Sequence, residues 1–409
     1  MKVIADPILK RSDLGKWPVI ALAATVVGVL ICLVLGLQDH DRFFRAYLVG
    51  YMYWFNIGMG SLLLLMIQHL SGGAWGVAIR RVLESSANNI KWMLLFFIPV
   101  LLGMHSLYEW THEDVVAKDA IIQLKVAWLN IPFFLIRVAI YFGLWVLIAF
   151  LLKRWSTEQD ATANPLIPGR MRNLCGPGIV IFFLTMTFAA VDWILSLEVH
   201  YYSTMFGPVV MIGQALVSMA FTIAILVLLS RIPPMNNILT PGHFHDLGKL
   251  MLAFTMLWAY INFSQFLITW SANLVEEIPY YLKRMSGGWG WVGAGLIAFH
   301  FFVPFCALLN RDLKRNPRTL IWVAIWVICV RFVDLSYLIL PSAHNHHVEG
   351  PESHFTGHFD GRAVLLALGS VLAIGGIWLT LFFRTLISRP MIPINDPYLQ
   401  EALEFHGGH

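Results

Sequence analysis

Residues 319–340 read TLIWVAIWVICVRFVDLSYLIL. The stretch is apolar over about 20 residues, the length that crosses the hydrocarbon core of a bilayer, yet it carries Arg331 and Asp334. A lone charge at such a depth costs roughly 2.5–3.5 kcal/mol on insertion scales. Because the two charges are opposite and three residues apart, they share one face of a helix. We therefore predict a membrane-spanning helix with a compensated ion pair.

Nine further stretches have the same length and character. Hydrophobic residues make up 58% of the 409 residues and charged residues 13%, a composition typical of a multi-pass membrane protein. We predict an all-α integral membrane fold with a single membrane domain over 1–409, a short N-terminus 1–16 and a short C-terminus 389–409. The ten predicted spans are 17–37, 43–70, 92–110, 127–152, 176–197, 207–229, 247–273, 289–309, 319–340 and 363–388.

The basic residues predict the orientation. An even number of spans places both termini on one side. Of the 28 Lys and Arg residues, Arg137 and Arg331 lie within spans, 19 lie on the side of the termini and seven on the other. The excess of basic residues predicts that both termini are cytoplasmic. The seven are Arg42, Arg45, Lys118, Lys125, Lys283, Arg284 and Arg362. Residues 1–16 lack an apolar core with a cleavage site, so we expect the first span to be retained.

Several kinds of site are disfavoured by the sequence. The four cysteines are scattered, with no C-x-x-C or C-x-x-C-H, which argues against an iron–sulfur cluster, a zinc site or covalent haem c in this chain. Residues 288–293, GWGWVG, satisfy G-x-G-x-x-G, but they open a span without a preceding strand and predict close helix packing rather than a dinucleotide site. Nucleic acid is not indicated.

Ionisable residues in other spans lie at related depths. Arg137 and Asp192 form a second pair of opposite sign. At about 1.5 Å rise per residue, Arg137, Asp192 and Asp334 lie in the half of the bilayer away from the termini, and Arg331 lies near the middle. His105 shares their half of the bilayer, His300 lies near the middle, and Glu109 and Glu198 lie farther outward. We predict one buried polar cluster shared between helices, with His105 and Glu109 on one helix face.

Polar residues elsewhere predict a track across the membrane. The hypothesis is that side chains and trapped water conduct protons between the cluster and the side of the termini. Its predicted members are Tyr260, Asn262, Ser264, Gln265 and Asn56 near the middle, and Gln68, His69, Asp246 and Lys249 toward the termini.

Three other interpretations of these residues stay open. The buried pairs also fit a purely structural role, fixing helix geometry without adding net stability. Bis-histidine haem needs imidazoles at matching depth, whereas His69, His105 and His300 lie at three different depths. The loop 341–362 contains His344, His346, His347, His354 and His358, whose spacing favours a solvated loop over a metal site.

Four long motifs resemble the NrfD/polysulfide-reductase membrane-subunit family. They are YWFNIGMGS at 53–61, VDWILSLEVHYYSTMFG at 191–207, TPGHFHDLGK at 240–249 and WSANLVEEIPYY at 270–281. The resemblance covers essentially all ten spans. It is closest to the second, shorter NrfD-like subunit of bacterial alternative complex III. The dipeptide Val-Asp occurs at both 191–192 and 333–334, which is consistent with a duplication that relates spans 2–5 to spans 6–9.

The resemblance implies a fold and a setting. The family fold is two four-helix bundles, spans 2–5 and 6–9, with spans 1 and 10 at the flanks. The implied complex oxidises quinol, with menaquinol as the expected substrate. Electrons then pass through two kinds of partner subunit, an iron–sulfur protein and a multihaem c subunit. A paralogous NrfD-like subunit is a further expected partner. No redox centre is expected in this chain.

The sequence leaves three functions open. The first is a membrane subunit of alternative complex III that provides a proton pathway and a docking scaffold. The second is the quinol-oxidising anchor of a polysulfide-reductase-type molybdoenzyme. The third is a stand-alone transporter. The sequence disfavours it, because no span has the paired half-helices, interrupted by Gly or Pro, of such folds.

Overall fold

A computed structural model describes Leu9, residues 15–342 and residues 357–404. This part of the chain contains ten helices long and apolar enough to cross a membrane, as the sequence predicts, so the chain is a multi-pass membrane protein. They are α1 Trp17–Gly36, α2 His40–Ser71, α3 Trp75–Leu102, α4 Ile131–Thr162, α5 Ile167–Leu197, α6 Phe206–Leu229, α7 Pro241–Ala272, α8 Trp289–Leu309, α9 Pro317–Ser342 and α10 Gly361–Leu386.

The helices α2 and α6 form the centre of the structure. The most apolar window of α2 is 100% buried and that of α6 is 83% buried, against 17% for α1 and 22% for α8. Helix α2 packs against α3, α5, α6, α9 and α10. Gly60 of α2 lies against the backbone at Gln214 of α6, where a Cβ atom would overlap the Gln214 carbonyl. The small residue therefore permits close packing of α2 on α6.

Helices α1 and α10 pack antiparallel through glycines. Gly28 lies against the backbone of Ala373, and Gly376 lies against Ala21 and Thr25, with no room for a Cβ atom in either case. The start of α1 thus meets the end of α10. We call this end of the structure the termini side and the other end the opposite side.

Helix α3 differs from the prediction at both ends. The predicted span is 92–110, but α3 begins at Trp75 and ends at Leu102. Its helical pieces are Ala74–Ala87, Ile90–Phe96 and Ile98–Leu102. Pro99 lies at the start of the last piece and has no N–H for a helix hydrogen bond, which explains the break near Phe97. Hydropathy misses the first piece because it carries Arg80, Arg81 and Glu84.

These charges lie in a buried ion-pair network on the termini side, in the segment that the sequence leaves between the predicted spans 43–70 and 92–110. Arg81 donates to Glu84 at 2.9 Å and pairs with Asp160 of α4. The residues after α10 complete the network. Arg389 pairs with Glu84 at 3.2 Å, and Arg80 pairs with Asp396 at 2.5 Å. The segment after α10, predicted as a short C-terminus, therefore packs on α3 and α4, where Asn395 donates to the Gln159 carbonyl at 3.0 Å.

Candidate functional site

The first candidate site joins Arg137 of α4 to Asp192 near the end of α5. The Arg137 Nε atom lies 2.8 Å from Asp192 Oδ2, and its Nη2 atom lies 2.9 Å from Oδ1. Trp128 Nε1 and the Tyr141 hydroxyl also donate to the Asp192 carboxylate, each at 2.9 Å. Asp192 is fully buried. The predicted pair is present, and four donors satisfy its carboxylate.

Aromatic rings enclose the Arg137 guanidinium. Its Cζ atom lies 4.3 Å from the ring centroid of Trp128 and 4.5 Å from that of Phe133. Such cation–π contacts stabilise a desolvated cation. Sequence reasoning missed Trp128 and Tyr141. The signal for Tyr141 was available, because it lies four residues after Arg137 and so on the same helix face.

The second candidate site surrounds Asp334 of α9. Arg331 Nη1 donates to Asp334 Oδ2, so the predicted pair within one helix is confirmed. Trp258 Nε1 of α7 donates to the same oxygen at 3.2 Å. His300 Nε2 of α8 lies 3.9 Å from it, too far for a hydrogen bond. His300 is fully buried, and its ring meets the Trp258 ring edge-to-face at 4.4 Å.

This second site has unused hydrogen-bonding groups. Both ring nitrogens of His300, and the Nε and Nη2 atoms of Arg331, have no hydrogen-bond partner in the described part of the chain. A buried polar group without a partner costs about 1–3 kcal/mol. The Arg331–Asp334–His300 site is thus less saturated than the Arg137–Asp192 site.

A local feature of α8 positions His300. Residues Ile297–Phe302 form a π-helical turn, a form often found at functional sites. Pro304 explains the turn, because it has no N–H to give to the His300 carbonyl four residues earlier. The Phe299 carbonyl accepts a hydrogen bond from Trp326 Nε1 of α9 at 2.7 Å. The sequence predicts His300 near the middle of its span, and that prediction made no use of Pro304.

The two pairs form two sites, and not the single shared pocket that the sequence predicts. In the described residues, no hydrogen bond or ion pair joins Arg137 or Asp192 to Arg331 or Asp334. Helix α2 contacts the surroundings of both. Its Phe55 ring packs on Trp193, next to Asp192, at 5.2 Å. Its Tyr53 hydroxyl donates to the Ile328 carbonyl of α9 at 2.9 Å, one turn before Arg331.

Close packing also fixes the position of Arg331. A Cβ atom on Gly213 of α6 would overlap the Arg331 guanidinium. The next residue, Gln214, donates to Asn56 Oδ1 of α2 at 3.0 Å. Asn56, predicted as part of a conducting track, is therefore fully buried in the contact between α2 and α6.

Glu198 belongs to a third cluster on the opposite side. Its carboxylate pairs with Lys283 at 3.0 Å and lies 3.6 Å from Arg284. Both cations come from the short helix Ile278–Met285 and are buried, although the sequence places them in an exposed loop. Arg284 donates to the Leu338 carbonyl of α9, one turn beyond Asp334, at 2.9 Å. Its Cζ atom lies 3.5 Å from the Tyr280 ring centroid. Burial raises the pKa of Tyr280, although the charge of Arg284 opposes this.

His105 and Glu109 do not lie on one helix face, contrary to the prediction. His105 lies in the short helical piece Met104–Leu107, whereas Glu109 opens a separate 3₁₀ turn, Glu109–Thr111. His105 is exposed, and its ring stacks on that of His112 at 3.7 Å. Thr111 Oγ1 lies 3.3 Å from His105 Nδ1. His105 therefore lies outside both buried ion-pair sites.

The predicted polar track is not continuous through α7. Tyr260 is 67% exposed and faces away from the core. Asn262 donates to the Trp258 carbonyl of its own helix at 2.8 Å. Gln265 donates to Tyr201 at 3.0 Å and accepts from Ser203 at 2.7 Å, which ties α7 to the segment before α6. In the described residues, none of these three side chains hydrogen-bonds to Asp334.

The predicted track residues on the termini side form two separate groups. Asp246 and Lys249 form a local ion pair at 3.1 Å, with the Lys249 side chain 56% exposed. His69 and Gln68 lie at the end of α2, and His69 Nε2 and Gln68 Oε1 have no hydrogen-bond partner in the described residues. Gln68 packs against Gly76 of α3.

An open cleft of about 560 Å³ lies on the opposite side. Asp119 and His200 line it and are joined at 2.6 Å. Burial raises the pKa of Asp119, but the N–H groups of Ile122 and Ile121 and the contact with His200 outweigh this and lower it.

Of the five loop histidines, His344, His346, His347 and His354 lie outside the described residues. The fifth is His358, whose carbonyl accepts a hydrogen bond from Trp289 Nε1 at 3.1 Å.

No protein-family model matches the chain, and no curated protein matches it.

Proposed function

We propose that this chain is the integral-membrane, non-redox subunit of a quinol-oxidising respiratory complex of the alternative complex III kind. In that complex it would provide a proton pathway and a docking scaffold. The observation that carries the proposal is the buried Asp334–Arg331–His300 site, in which an ionisable imidazole lies beside an ion pair and both ring nitrogens are unused. Ionisable groups inside a membrane protein are costly and commonly mark a proton, ion or substrate route.

Quinol oxidation releases two protons. His300 and Asp334 have distinct roles in the transfer of such protons. The His300 Nε2 atom lies 3.9 Å from Asp334 Oδ2, so a small side-chain movement would bring the two within hydrogen-bonding distance for proton transfer. Protonation of Asp334 then neutralises the carboxylate and releases Arg331. Deprotonation restores the ion pair. The saturated Arg137–Asp192 site is assigned a structural role, because four donors hold its carboxylate.

Helix contacts support two four-helix bundles, α2–α5 and α6–α9, with α1 and α10 at the flanks. Within the first group α2 packs on α3 and α5, and α5 packs on α4. Within the second, α6 packs on α7 and α9, and α8 packs on both. The first group contains the Arg137–Asp192 pair, and the second contains the Arg331–Asp334 pair. The weakly buried α1, α7 and α8 leave apolar faces for lipid or a paralogous NrfD-like subunit.

The expected setting follows from the basic residues and from the opposite side. The excess of Lys and Arg supports cytoplasmic termini in a bacterial inner membrane. Exposed Tyr202 and Glu276 on the opposite side would then face periplasmic partners, an iron–sulfur protein and a multihaem c subunit. Quinone, with menaquinone as the expected form, would be oxidised in the complex.

Purification of the tagged chain from its native membranes in a mild detergent tests this assignment. We expect co-purification of c-type haem, seen in the reduced optical spectrum, together with iron and without molybdenum. Molybdenum with iron–sulfur subunits would instead support the polysulfide-reductase-type anchor. A free monomer that transports a solute after reconstitution would contradict membership of any respiratory complex.

A further inference from the structure

Three cations from different parts of the chain meet at the termini side. They are Lys91 of α3, Lys153 of α4 and Arg389 after α10. Lys153 contacts Asn88, which lies three residues before Lys91, and Arg389 contacts Thr157, one helical turn after Lys153, so the three cations lie close together. We propose that this cluster binds the phosphate group of an anionic phospholipid. The proposal does not depend on the proposed function.

Hydrogen bonds hold the cluster in place. Lys153 Nζ donates to Asn88 Oδ1 at 3.0 Å, and Asn88 Nδ2 donates to Thr385 Oγ1 of α10 at 3.2 Å. Asn88 follows the helical piece Ala74–Ala87, where α3 is interrupted. The break in α3 thus places an amide between α4 and α10, and the amide fixes the ammonium.

Donors remain for a ligand. The Lys153 ammonium has three N–H donors, of which the described residues use one. Arg389 is 9% exposed and uses Nη1 for Glu84 and Thr157, each at 3.2 Å. Its Nη2 atom is buried and has no partner in the described residues. Lys91 is exposed. These donors suit the several acceptor oxygens of a phosphate group.

The local charge is positive. Behind the cluster, Arg80 pairs with Asp396, and Arg81 pairs with Asp160. The charges that remain are the Glu84 carboxylate and the cations Lys91, Lys153 and Arg389. Three positive charges and one negative charge give a net charge of two positive units. An anion that bears one or two negative charges would compensate them.

The surroundings favour a lipid as the source of the phosphate. Trp92 is 37% exposed next to Lys91, whose Nζ atom lies 5.5 Å from its ring centroid. Tryptophan is enriched at the membrane interface. Leu95 of α3 and Phe150 of α4 are 54% and 55% exposed and offer an apolar surface for acyl chains. Basic pockets of this kind between membrane helices bind anionic headgroups.

Native mass spectrometry of the purified full chain tests the proposal. The probes are phosphatidylglycerol and phosphatidylcholine with identical acyl chains, and inorganic phosphate alone. We expect preferential retention of phosphatidylglycerol, and a loss of that preference by about tenfold or more in the double variant Lys91→Gln/Lys153→Gln. The matched control is Arg170→Gln/Arg172→Gln, which removes two exposed cations of α5 on the same side and should retain the lipid.

Several results would overturn the proposal. Equal retention of the two lipids by the native chain would remove it, as would equal losses in the two double variants. Binding of inorganic phosphate that needs Lys91 and Lys153 and displaces the lipid would assign the site to free phosphate instead. Gel filtration and circular dichroism of both variants check that the fold is intact, which is expected because Lys91 is exposed and Lys153 is half-buried.

Discussion

His300 Nε2 lies 3.9 Å from Asp334 Oδ2, and neither ring nitrogen of His300 has a hydrogen-bond partner in the described part of the chain. A fully buried imidazole without hydrogen-bond partners lowers the stability of the fold. This relationship separates the Asp334 site from the Asp192 site, whose carboxylate accepts four hydrogen bonds.

The first prediction concerns His300→Phe. The variant should keep or gain thermal stability in detergent, by up to about 1–3 kcal/mol, because it removes unpaired buried nitrogens. Proton translocation by the reconstituted complex should fall, because the group next to Asp334 no longer ionises. His105→Phe is the control, since His105 is exposed and should change neither property. A large loss of stability in His300→Phe would show that the imidazole is structural.

The second prediction concerns Asp192→Asn. Removing one partner of a buried ion pair leaves the other charge uncompensated, so we expect a loss of about 3–5 kcal/mol of stability. Thermal unfolding followed by circular dichroism measures it. Asp246→Asn breaks an exposed pair and should cost about 0–1 kcal/mol. Similar losses in both variants would contradict the assignment of Asp192 as a structural lock.

The third prediction concerns Gly213→Ala. The added methyl group would overlap the Arg331 guanidinium, so we expect a destabilisation of about 1–3 kcal/mol. Gly143→Ala in α4 is the matched control, because a Cβ atom there meets nothing within 4 Å. That change should stabilise the helix by about 0.5–1 kcal/mol. Equal effects of the two variants would show that Arg331 does not lie against α6.

The fourth prediction concerns Pro304→Ala. The new N–H can bond to the His300 carbonyl, so the π-helical turn Ile297–Phe302 should convert to an α-helix and rotate His300 away from Asp334. An experimental structure of the variant measures the separation of the two side chains. Pro317→Ala is the control, because Pro317 occupies the first turn of α9, where proline is tolerated. An unchanged π-helical turn in Pro304→Ala would remove the role given to Pro304.

The sequence predicts the membrane helices well because length and hydropathy decide them. Nine of the ten spans agree with the structure to within a few residues at most ends, and α4, α5 and α7 extend farther. Helix α3 is the exception. Its first piece carries Arg80, Arg81 and Glu84, which hydropathy assigns to a loop. Only the folded chain shows that Asp160, Arg389 and Asp396 compensate them.

The sequence predicted the residues of the two buried ion pairs but not how the helices that carry them pack together. Spacing along a helix predicts the Arg331–Asp334 pair, and opposite signs at similar depth predict Arg137–Asp192. Depth alone gives no information about which faces of the helices meet. For this reason the sequence combined two sites into one, placed His105 among the buried groups, and assigned the exposed Tyr260 to a conducting track.

The proton-to-electron ratio of the reconstituted complex with Asp334→Asn tests the central claim most directly. The variant is compared with the native complex during quinol oxidation in sealed vesicles, at matched content of the chain. We predict that electron transfer continues while fewer protons are translocated per electron. An unchanged ratio in an intact Asp334→Asn complex would contradict the account.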